Sequence, residues 1–190
     1  MEESELLDLM TELGALQRGH FLLSSGLHSD TYFQCALLLQ FPDLARELGQ
    51  RLAGQFDSLH IDLVVSPALG GILIGHEVAR ALGRRFAFTE RVGSEMTLRR
   101  GFTIEKGEKT LIVEDVVTRG TSLQEVVTVV TGLGGIVAGL AALIDRTGGT
   151  ADLPENLVSL SKVEVATYDP ANCPLCKEGS DAVKPGSRGN

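Results

Sequence analysis

The stretch that decides the fold is Leu111-Ile112-Val113-Glu114-Asp115-Val116-Val117-Thr118-Arg119-Gly120-Thr121-Ser122. Its first three residues are apolar on both faces, which is typical of a strand that helices cover on each side. Two carboxylates, Glu114 and Asp115, follow this run, and a small polar loop comes next. Ser122 and Glu125 have the S-x-x-E spacing of a capping box, so we predict that a helix begins at Ser122. The free amide groups and positive dipole end of that helix would face the loop.

The loop itself has the composition of a phosphate-binding site. Hydroxyl groups and backbone donors around a phosphate-sized concavity would come from Thr118, Gly120, Thr121 and Ser122. The G-x-x-x-x-G-K-[ST] pattern is absent, and the glycines at 132–135 follow a predicted helix, whereas a dinucleotide fingerprint precedes one. A nucleoside triphosphatase or a Rossmann enzyme is therefore not expected, and the glycine cluster is better explained as a helix C-cap and turn.

Apolar runs alternate with helical periodicity on both sides of this stretch. In this region we predict strands at 61–66, 85–89, 110–114, 136–144 and 157–165, and helices at 72–82 and 122–133. That order indicates βαβ units, hence an α/β fold with a central, mainly parallel sheet flanked by helices. Earlier in the chain we predict helices at 4–16 and 42–56 and short strands at 20–23 and 31–35, and the last twenty residues should form a weakly structured tail.

Composition excludes several classes of protein. The chain has 190 residues and a net charge of −8, which argues against wrapping nucleic acid. No apolar stretch approaches the roughly 20 residues that cross a bilayer, and no basic n-region begins the chain, so we expect a cytoplasmic protein without membrane contact.

Cys173-x-x-Cys176 is half of a zinc site at best, because no nearby histidine completes it. Two such pairs could meet across a dimer, but free thiols are the simpler expectation.

The carboxylate pair and its loop resemble the phosphoribosyl pyrophosphate signature of type I phosphoribosyltransferases. The shared pattern is an apolar run, Glu-Asp, two apolar residues and Thr-x-Gly-Thr-Ser. The resemblance implies that Glu114 and Asp115 accept hydrogen bonds from the 2- and 3-hydroxyls of the ribose. The alternative is a strand end that is merely acidic and solvated.

Further segments are similar to the orotate branch of that family. Residues 19–33 (GHFLLSSGLHSDTYF) look like the segment that closes over the base, residues 66–71 (SPALGG) like the pyrophosphate loop, and residues 96–102 (MTLRRGF) like the mobile loop. The tail from Cys173 to Arg188 also resembles some prokaryotic members. The resemblance implies one domain, with a hood segment at 1–40, the core sheet at 57–167 and the tail at 170–190.

The resemblance also implies a role for individual residues. Contacts with phosphoribosyl pyrophosphate would come from Ala68, Leu69, Gly70, Gly71, Arg91, Glu114, Asp115, Thr118, Arg119, Gly120, Thr121 and Ser122. Contacts with orotate would come from His28, Tyr32, Phe33, Thr118 and Arg146. Catalysis would rest on Arg99, Arg100 and Asp115, and no residue would serve as a protein metal ligand. A cis peptide bond between Ala68 and Leu69 would point amides at the pyrophosphate.

Some positions depart from the family pattern. Leu69 and Val92 occupy places where relatives carry basic residues, so Arg91, Arg99 and Arg100 become the candidate cations by elimination. Two candidates have simpler explanations. His28, where several relatives have lysine, is in a turn and could be an exposed or lightly bonded imidazole, and Arg146 could be a solvated charge at a strand end.

The activity implied is the joining of orotate to phosphoribosyl pyrophosphate in pyrimidine (UMP) biosynthesis, giving orotidine 5'-monophosphate and pyrophosphate. The resemblance further implies Mg²⁺ held mainly by the substrate, a homodimer with shared active sites, and a segment at 91–102 that is mobile without ligand. Two alternatives stay open. One is a phosphoribosyltransferase for another base, and the other is a regulator of the same fold that senses phosphoribosyl pyrophosphate.

Overall fold

The computed structural model describes residues 2–23, 25–148 and 151–185, and the chain divides into two units. Residues 39–163 form the sheet unit, and residues 1–38 with 164–190 form the terminal unit. The elements in chain order are α1 (Glu3–Glu12), β1 (Leu16–Leu22), β2 (His28–Phe33), α2 (Cys35–Leu39), α3 (Pro42–Gly54), β3 (Leu63–Pro67), α4 (Gly71–Leu82), β4 (Arg85–Val92), β5 (Glu95–Leu98), β6 (Lys109–Val117), α5 (Thr121–Gly132), β7 (Ile136–Asp145), β8 (Leu157–Lys162), β9 (Thr167–Tyr168) and α6 (Pro174–Lys177). Among the described residues, no helix is both long and apolar enough to cross a membrane.

The sheet unit is built on a six-stranded sheet in the order β5-β4-β3-β6-β7-β8. Neighbouring strands run parallel except β5, which pairs antiparallel with β4. Side chains alternate between the faces of a strand, so Val65 packs with Val126 and Val130 of α5, whereas Ser66 faces Gly75 of α4. Helices thus cover both faces of β3, as its unbroken apolar run predicts, and the α/β fold is confirmed.

The terminal unit is held together by a smaller sheet in the order β1-β2-β9. β1 and β2 form an antiparallel hairpin, and β9 pairs with the other edge of β2. Val183 forms an isolated bridge with Phe21 of β1. The prediction of a weakly structured tail is therefore wrong up to residue 185, because the short helix α6 and the backbone bridge between Val183 and β1 give it regular structure. Residues 186–190 of the predicted tail lie outside the described part.

Other element bounds differ from the prediction for identifiable reasons. The first helix ends at Glu12 and not at Leu16, because Gly14 has a φ of +70°, which terminates a right-handed helix. Leu16 instead begins β1. Residues 95–98, predicted as part of a loop, pair with β4 as β5, and this pairing extends β4 from the predicted Thr89 to Val92.

Helices α3 and α4 come into close contact at Gly49. A Cβ atom at this position would lie 2.6 Å from the Cβ of Glu77 and 2.9 Å from the carbonyl carbon of Glu77. Real Cβ atoms do not tolerate such separations, so one helix would have to move. The absence of a side chain at Gly49 therefore sets the distance between the two helices.

Gly49→Ala should lower the free energy of unfolding by about 1–3 kcal/mol, the usual cost of overpacking. Gly54→Ala on the same helix is the matched control, because nothing lies within 4 Å of its added Cβ, and it should be neutral or stabilising by up to about 1 kcal/mol. Urea denaturation of both variants measures the difference. Equal stability of the two variants would show that α3 and α4 are not packed this closely.

Candidate active site

The candidate active site lies where the order of strands in the sheet reverses. β3 and β6 are neighbours, yet the chain leaves β3 through α4 to reach β4 on one side, and it leaves β6 through α5 to reach β7 on the other. In open parallel sheets, a crevice forms beyond the carboxyl ends of the strands at such a point, and ligands bind there. Residues 67–71 and 114–122 both occupy this end of the sheet.

Glu114 and Asp115 form a crowded pair of carboxylates at the end of β6. Glu114 is 8% exposed, and the backbone amide of Asp115 donates to its Oε1 at 3.3 Å. Burial raises the pKa of Glu114 well above its ordinary value, and the negative charge of Asp115 raises it further. Burial also raises the pKa of Asp115. Such a pair gains most from a ligand that supplies hydroxyl donors, since each hydrogen bond to a carboxylate offsets part of its desolvation.

The loop between β3 and α4 lies directly against this pair. A Cβ at Gly70 would be 2.6 Å from Oδ1 of Asp115, and one at Gly71 would be 3.2 Å from Oε1 of Glu114. Glycine therefore lets the backbone approach the carboxylates. The predicted cis peptide bond between Ala68 and Leu69 is confirmed. The side chain of Leu69 is 81% exposed, so at this position the loop offers a ligand its backbone and not a buried side chain.

The polar loop after β6 turns sharply into α5 at Gly120. This residue has a φ of +77° and is the N-cap of the helix, which begins at Thr121. The predicted capping box is wrong, because helix α5, all of whose residues are described, has no side-chain cap, and Glu125 binds Arg91 instead. The first-turn amide groups of α5 still face the loop, as the phosphate-binding prediction requires.

Arg146 stands at the same edge of the sheet, directly after β7. Its backbone amide donates to the carbonyl of Val117 at 2.8 Å, which places it beside the start of the polar loop. The buried carboxylate of Asp145 accepts the amide of Thr147 at 2.8 Å and holds the turn after the strand. Arg146 therefore lies at the end of the strand next to β6, and β6 carries the Glu114 and Asp115 pair.

The three candidate cations lie on or beside the hairpin of β4 and β5, and each has a carboxylate partner. Arg91 donates to both carboxylate oxygens of Glu125. Arg99 and Arg100 share Glu90, with nitrogen to oxygen distances of 3.3 and 2.9 Å. Sequence reasoning missed both glutamates, because each ion pair joins residues that are distant along the chain or on different elements.

Arg100 has a further distinguishing feature. It is the one non-glycine residue of the described chain with a positive φ, at 59°, and Gly101 follows at 77°. Its guanidinium carbon lies 5.7 Å from the centre of the Phe88 ring. The segment thus ends in a tight left-handed turn after β5.

The predicted orotate contacts His28, Tyr32 and Phe33 belong to β2 of the terminal unit. Because side chains alternate along a strand, Tyr32 and Phe33 point to opposite faces of the small sheet. His28 is buried, and its Nδ1 lies 2.8 Å from Nε2 of His20 and 3.4 Å from Sγ of Cys176. The prediction that no histidine lies near the cysteine pair is therefore wrong.

Comparisons with known proteins agree with this geometry. The family model described as phosphoribosyl transferase domain matches residues 38–171. A protein of Desulforamulus reducens named orotate phosphoribosyltransferase is 51% identical, over 99% of this chain and 98% of its own length. A protein of the same name from Chlorobium phaeobacteroides is 49% identical, over 99% of this chain and 97% of its own length. This chain belongs to the phosphoribosyltransferase family and, within it, to the orotate phosphoribosyltransferases.

Solved structures place the fold in the same family. The crystal structure of orotate phosphoribosyltransferase from Aeropyrum pernix matches with a TM-score of 0.71 and 27% identity, covering 83% of this chain and 93% of that one. Adenine phosphoribosyltransferase from Thermoanaerobacter pseudethanolicus matches with a TM-score of 0.63 and 21% identity, covering 70% of this chain and 88% of that one. The fold is therefore common to enzymes named for different bases, and it does not by itself select the base.

The raised pKa of Glu114 predicts how stability depends on pH in the absence of ligand. The folded state holds the proton of Glu114 to a higher pH than the unfolded chain does, so the free energy of unfolding should fall as pH rises above the ordinary value of 4.5 towards the raised pKa. Glu114→Gln removes this penalty and should unfold at a higher temperature than the wild type at neutral pH. The exposed Glu47→Gln is the control and should leave the pH dependence unchanged. A wild type and a Glu114→Gln protein with parallel stability profiles from pH 4 to pH 8 would contradict this account of the site.

Proposed function

We propose that the protein transfers the phosphoribosyl group of phosphoribosyl pyrophosphate to orotate, giving orotidine 5'-monophosphate and pyrophosphate. The main support for the proposal is the Glu114 and Asp115 pair at the switch point of the sheet, in which Glu114 is buried and Asp115, partly buried, lies against Gly70. The relatives named orotate phosphoribosyltransferase, similar along nearly the whole chain, support the choice of base.

The reaction is a displacement at ribose C1, in which pyrophosphate leaves while the orotate nitrogen approaches. Glu114 and Asp115 accept hydrogen bonds from the ribose hydroxyls and hold the ring in place. The backbone of residues 68–71 binds the pyrophosphate, and the loop at 118–122 binds a phosphate group of the same substrate. The chain supplies no nucleophile, so its contribution is positioning and charge stabilisation.

Mg²⁺ fits this site. Carboxylate oxygens are ligands that Mg²⁺ accepts, and burial raises the pKa of both Glu114 and Asp115, so a nearby cation would favour their charged forms. When bound with the substrate, the ion would neutralise part of the charge on the pyrophosphate. Because Mg²⁺ keeps most of its waters and binds substrate phosphates, few or no direct protein ligands are needed.

Positive charge for the departing pyrophosphate comes from Arg99 and Arg100, and Arg91 contacts the bound substrate. In the structure these guanidinium groups are paired with Glu90 and Glu125. Exposed ion pairs of this kind contribute little stability, so a dianionic ligand can replace the glutamate partners at small cost. We further propose a homodimer in which the segment at 91–102 of one subunit serves the site of the other.

The direct test is the loss of orotate absorbance after phosphoribosyl pyrophosphate and Mg²⁺ are added. Uracil and adenine serve as competing acceptors, because adenine enzymes share this fold. Consumption of orotate alone supports the proposal. Consumption of another base, or binding of phosphoribosyl pyrophosphate without turnover of any base, would favour one of the two alternatives.

Arg146→Leu should discriminate between the two substrates. The loss of a charged hydrogen bond to the orotate carboxylate costs about 1.5–3 kcal/mol, which corresponds to roughly a ten- to hundredfold weaker affinity for orotate. Affinity for phosphoribosyl pyrophosphate should change little. Arg146→Lys keeps the charge but not the bidentate geometry, so its affinity for orotate should lie between those of the wild type and Arg146→Leu. If phosphoribosyl pyrophosphate binding suffers and orotate binding does not, Arg146 has a different role.

The shared site can be tested with two inactive proteins. Asp115→Asn should lose most activity because it removes the negative charge that strengthens the hydrogen bond from a ribose hydroxyl. The double variant Arg99→Ala/Arg100→Ala should lose activity because it removes the cations. After the subunits exchange, half of the dimers are mixed, and each mixed dimer has one site with both defects and one with neither. Activity should therefore recover to about a quarter of the wild type. If exchange is confirmed by mass and activity stays absent, the segment acts within its own subunit.

A further inference from the structure

A second cluster of reactive side chains lies wholly within the terminal unit and is separate from the proposed reaction. It consists of His20, His28, Cys173 and Cys176, whose candidate ligand atoms all lie within 4.8 Å of one another. Three of the four residues are buried, and Cys173 is 1% exposed. We propose that these four residues form a tetrahedral structural metal site whose natural occupant is zinc.

The distances between the ligand atoms match those of a zinc tetrahedron. Zinc bonds of about 2.0–2.1 Å to nitrogen and 2.3 Å to sulfur place two nitrogens about 3.3 Å apart and a nitrogen and a sulfur about 3.6 Å apart. In the structure, Nε2 of His20 lies 2.8 Å from Nδ1 of His28, 3.5 Å from Sγ of Cys173 and 3.8 Å from Sγ of Cys176. Sγ of Cys176 lies 3.4 Å from Nδ1 of His28. Shifts of a few tenths of an ångström would therefore complete the coordination.

The ring of His20 is already oriented as a metal ligand. Its Nδ1 lies 3.0 Å from the backbone carbonyl of Ser180 and 2.8 Å from the hydroxyl oxygen of Ser180. A carbonyl can only accept, so Nδ1 carries the proton, and the lone pair of the neutral ring is on Nε2 and faces the cluster. Metal-bound histidines commonly have an acceptor of this kind at the other ring nitrogen.

The fold brings together residues that are distant in sequence. His20 and His28 lie on the two strands of the hairpin, and β9 pairs with β2 immediately before the chain reaches Cys173. Cys173 is the N-cap of α6, and Cys176 lies one turn further on the same short helix. The Cys-Pro-Leu-Cys segment thus supplies the two thiolates from a single turn, as Cys-x-x-Cys does in zinc sites.

The chemistry of the ligand set favours zinc and a structural role. Two sulfurs and two imidazole nitrogens in a tetrahedral arrangement suit Zn²⁺ better than Mg²⁺, which prefers oxygen in octahedral geometry. Four protein ligands leave no open position for a substrate. The metal would add a link between the hairpin and the tail, which within residues 170–185 has a backbone bridge to β1 at Val183 and follows the short pairing of β9 with β2.

The proposal changes two sequence-based expectations. The sequence predicted free thiols at Cys173 and Cys176 and no protein metal ligands, whereas the proposed site binds its metal through four protein ligands. It also gives Nδ1 of His28 a role that is incompatible with a contact from the same nitrogen to orotate. The metal site does not depend on the proposed reaction, and its test does not involve orotate.

Elemental analysis of the wild-type protein, purified without chelators or a histidine tag, should give about one zinc per chain. Cys176→Ser is the most informative variant, since this side chain is exposed and its loss should not prevent folding. It should bind zinc at least about tenfold more weakly and lose the metal on dialysis. His76→Gln, which changes an exposed histidine elsewhere, is the matched control and should retain the metal.

Two further measurements test the metal site in the wild-type protein itself. Wild-type protein loaded with Co²⁺ should show the intense visible bands of a tetrahedral site and a thiolate charge-transfer band. Removal of the metal by a chelator should make the tail more sensitive to trypsin at Lys177. A wild type that holds no zinc after incubation with Zn²⁺, or a disulfide between Cys173 and Cys176 in the native protein, would overturn the proposal. Equal zinc retention by Cys176→Ser would do the same.

Discussion

The arrangement of the sheet unit depends on two carboxylates held side by side at the end of β6. Burial of adjacent negative charges is unfavourable, and the raised pKa values of Glu114 and Asp115 reflect this cost. The surroundings accommodate the pair by leaving out side chains, since Gly70 and Gly71 bring backbone against both carboxylates. A site of this kind is less stable empty than full, which is the usual relation between stability and function at binding sites.

The same constraint explains why the neighbouring elements are where they are. The strand order places β3 and β6 side by side, so the two loops that follow them meet over the carboxylates. The polar loop then turns at Gly120 and presents the amino end of α5. The next strand, β7, ends beside the same loop and delivers Arg146. The proposed acceptors for hydroxyl groups, donors for phosphate and cation for a carboxylate thus meet at one edge of the sheet.

Much of the fold could be predicted from local pattern, and most of the errors concern contacts between elements that are distant in sequence. Apolar runs such as residues 111–113 predict buried strands because both of their faces need cover. The carboxylates and the polar loop are contiguous in sequence, so they could be recognised together. The ordered tail was missed because its bridge to β1 is long-range and cannot be read from local pattern. β5 was missed although it forms a local hairpin with β4, because residues 96–102 were interpreted as a mobile loop from the family resemblance. Glu125 fits a capping box by spacing, but Arg91 from another element takes its carboxylate. His20 and Cys173, more than 150 residues apart, meet through strand pairing alone.

The proposed binding of the ribose of phosphoribosyl pyrophosphate by Glu114 and Asp115 is tested most directly by calorimetric titration with this substrate and Mg²⁺. Glu114→Gln and Asp115→Asn change charge at nearly constant volume, so the protein should remain folded. Loss of a hydrogen bond to a charged group costs about 1.5–3 kcal/mol, and at least one of the two variants should therefore bind roughly ten- to hundredfold more weakly than the wild type. Affinity equal to that of the wild type in both folded variants would contradict the account.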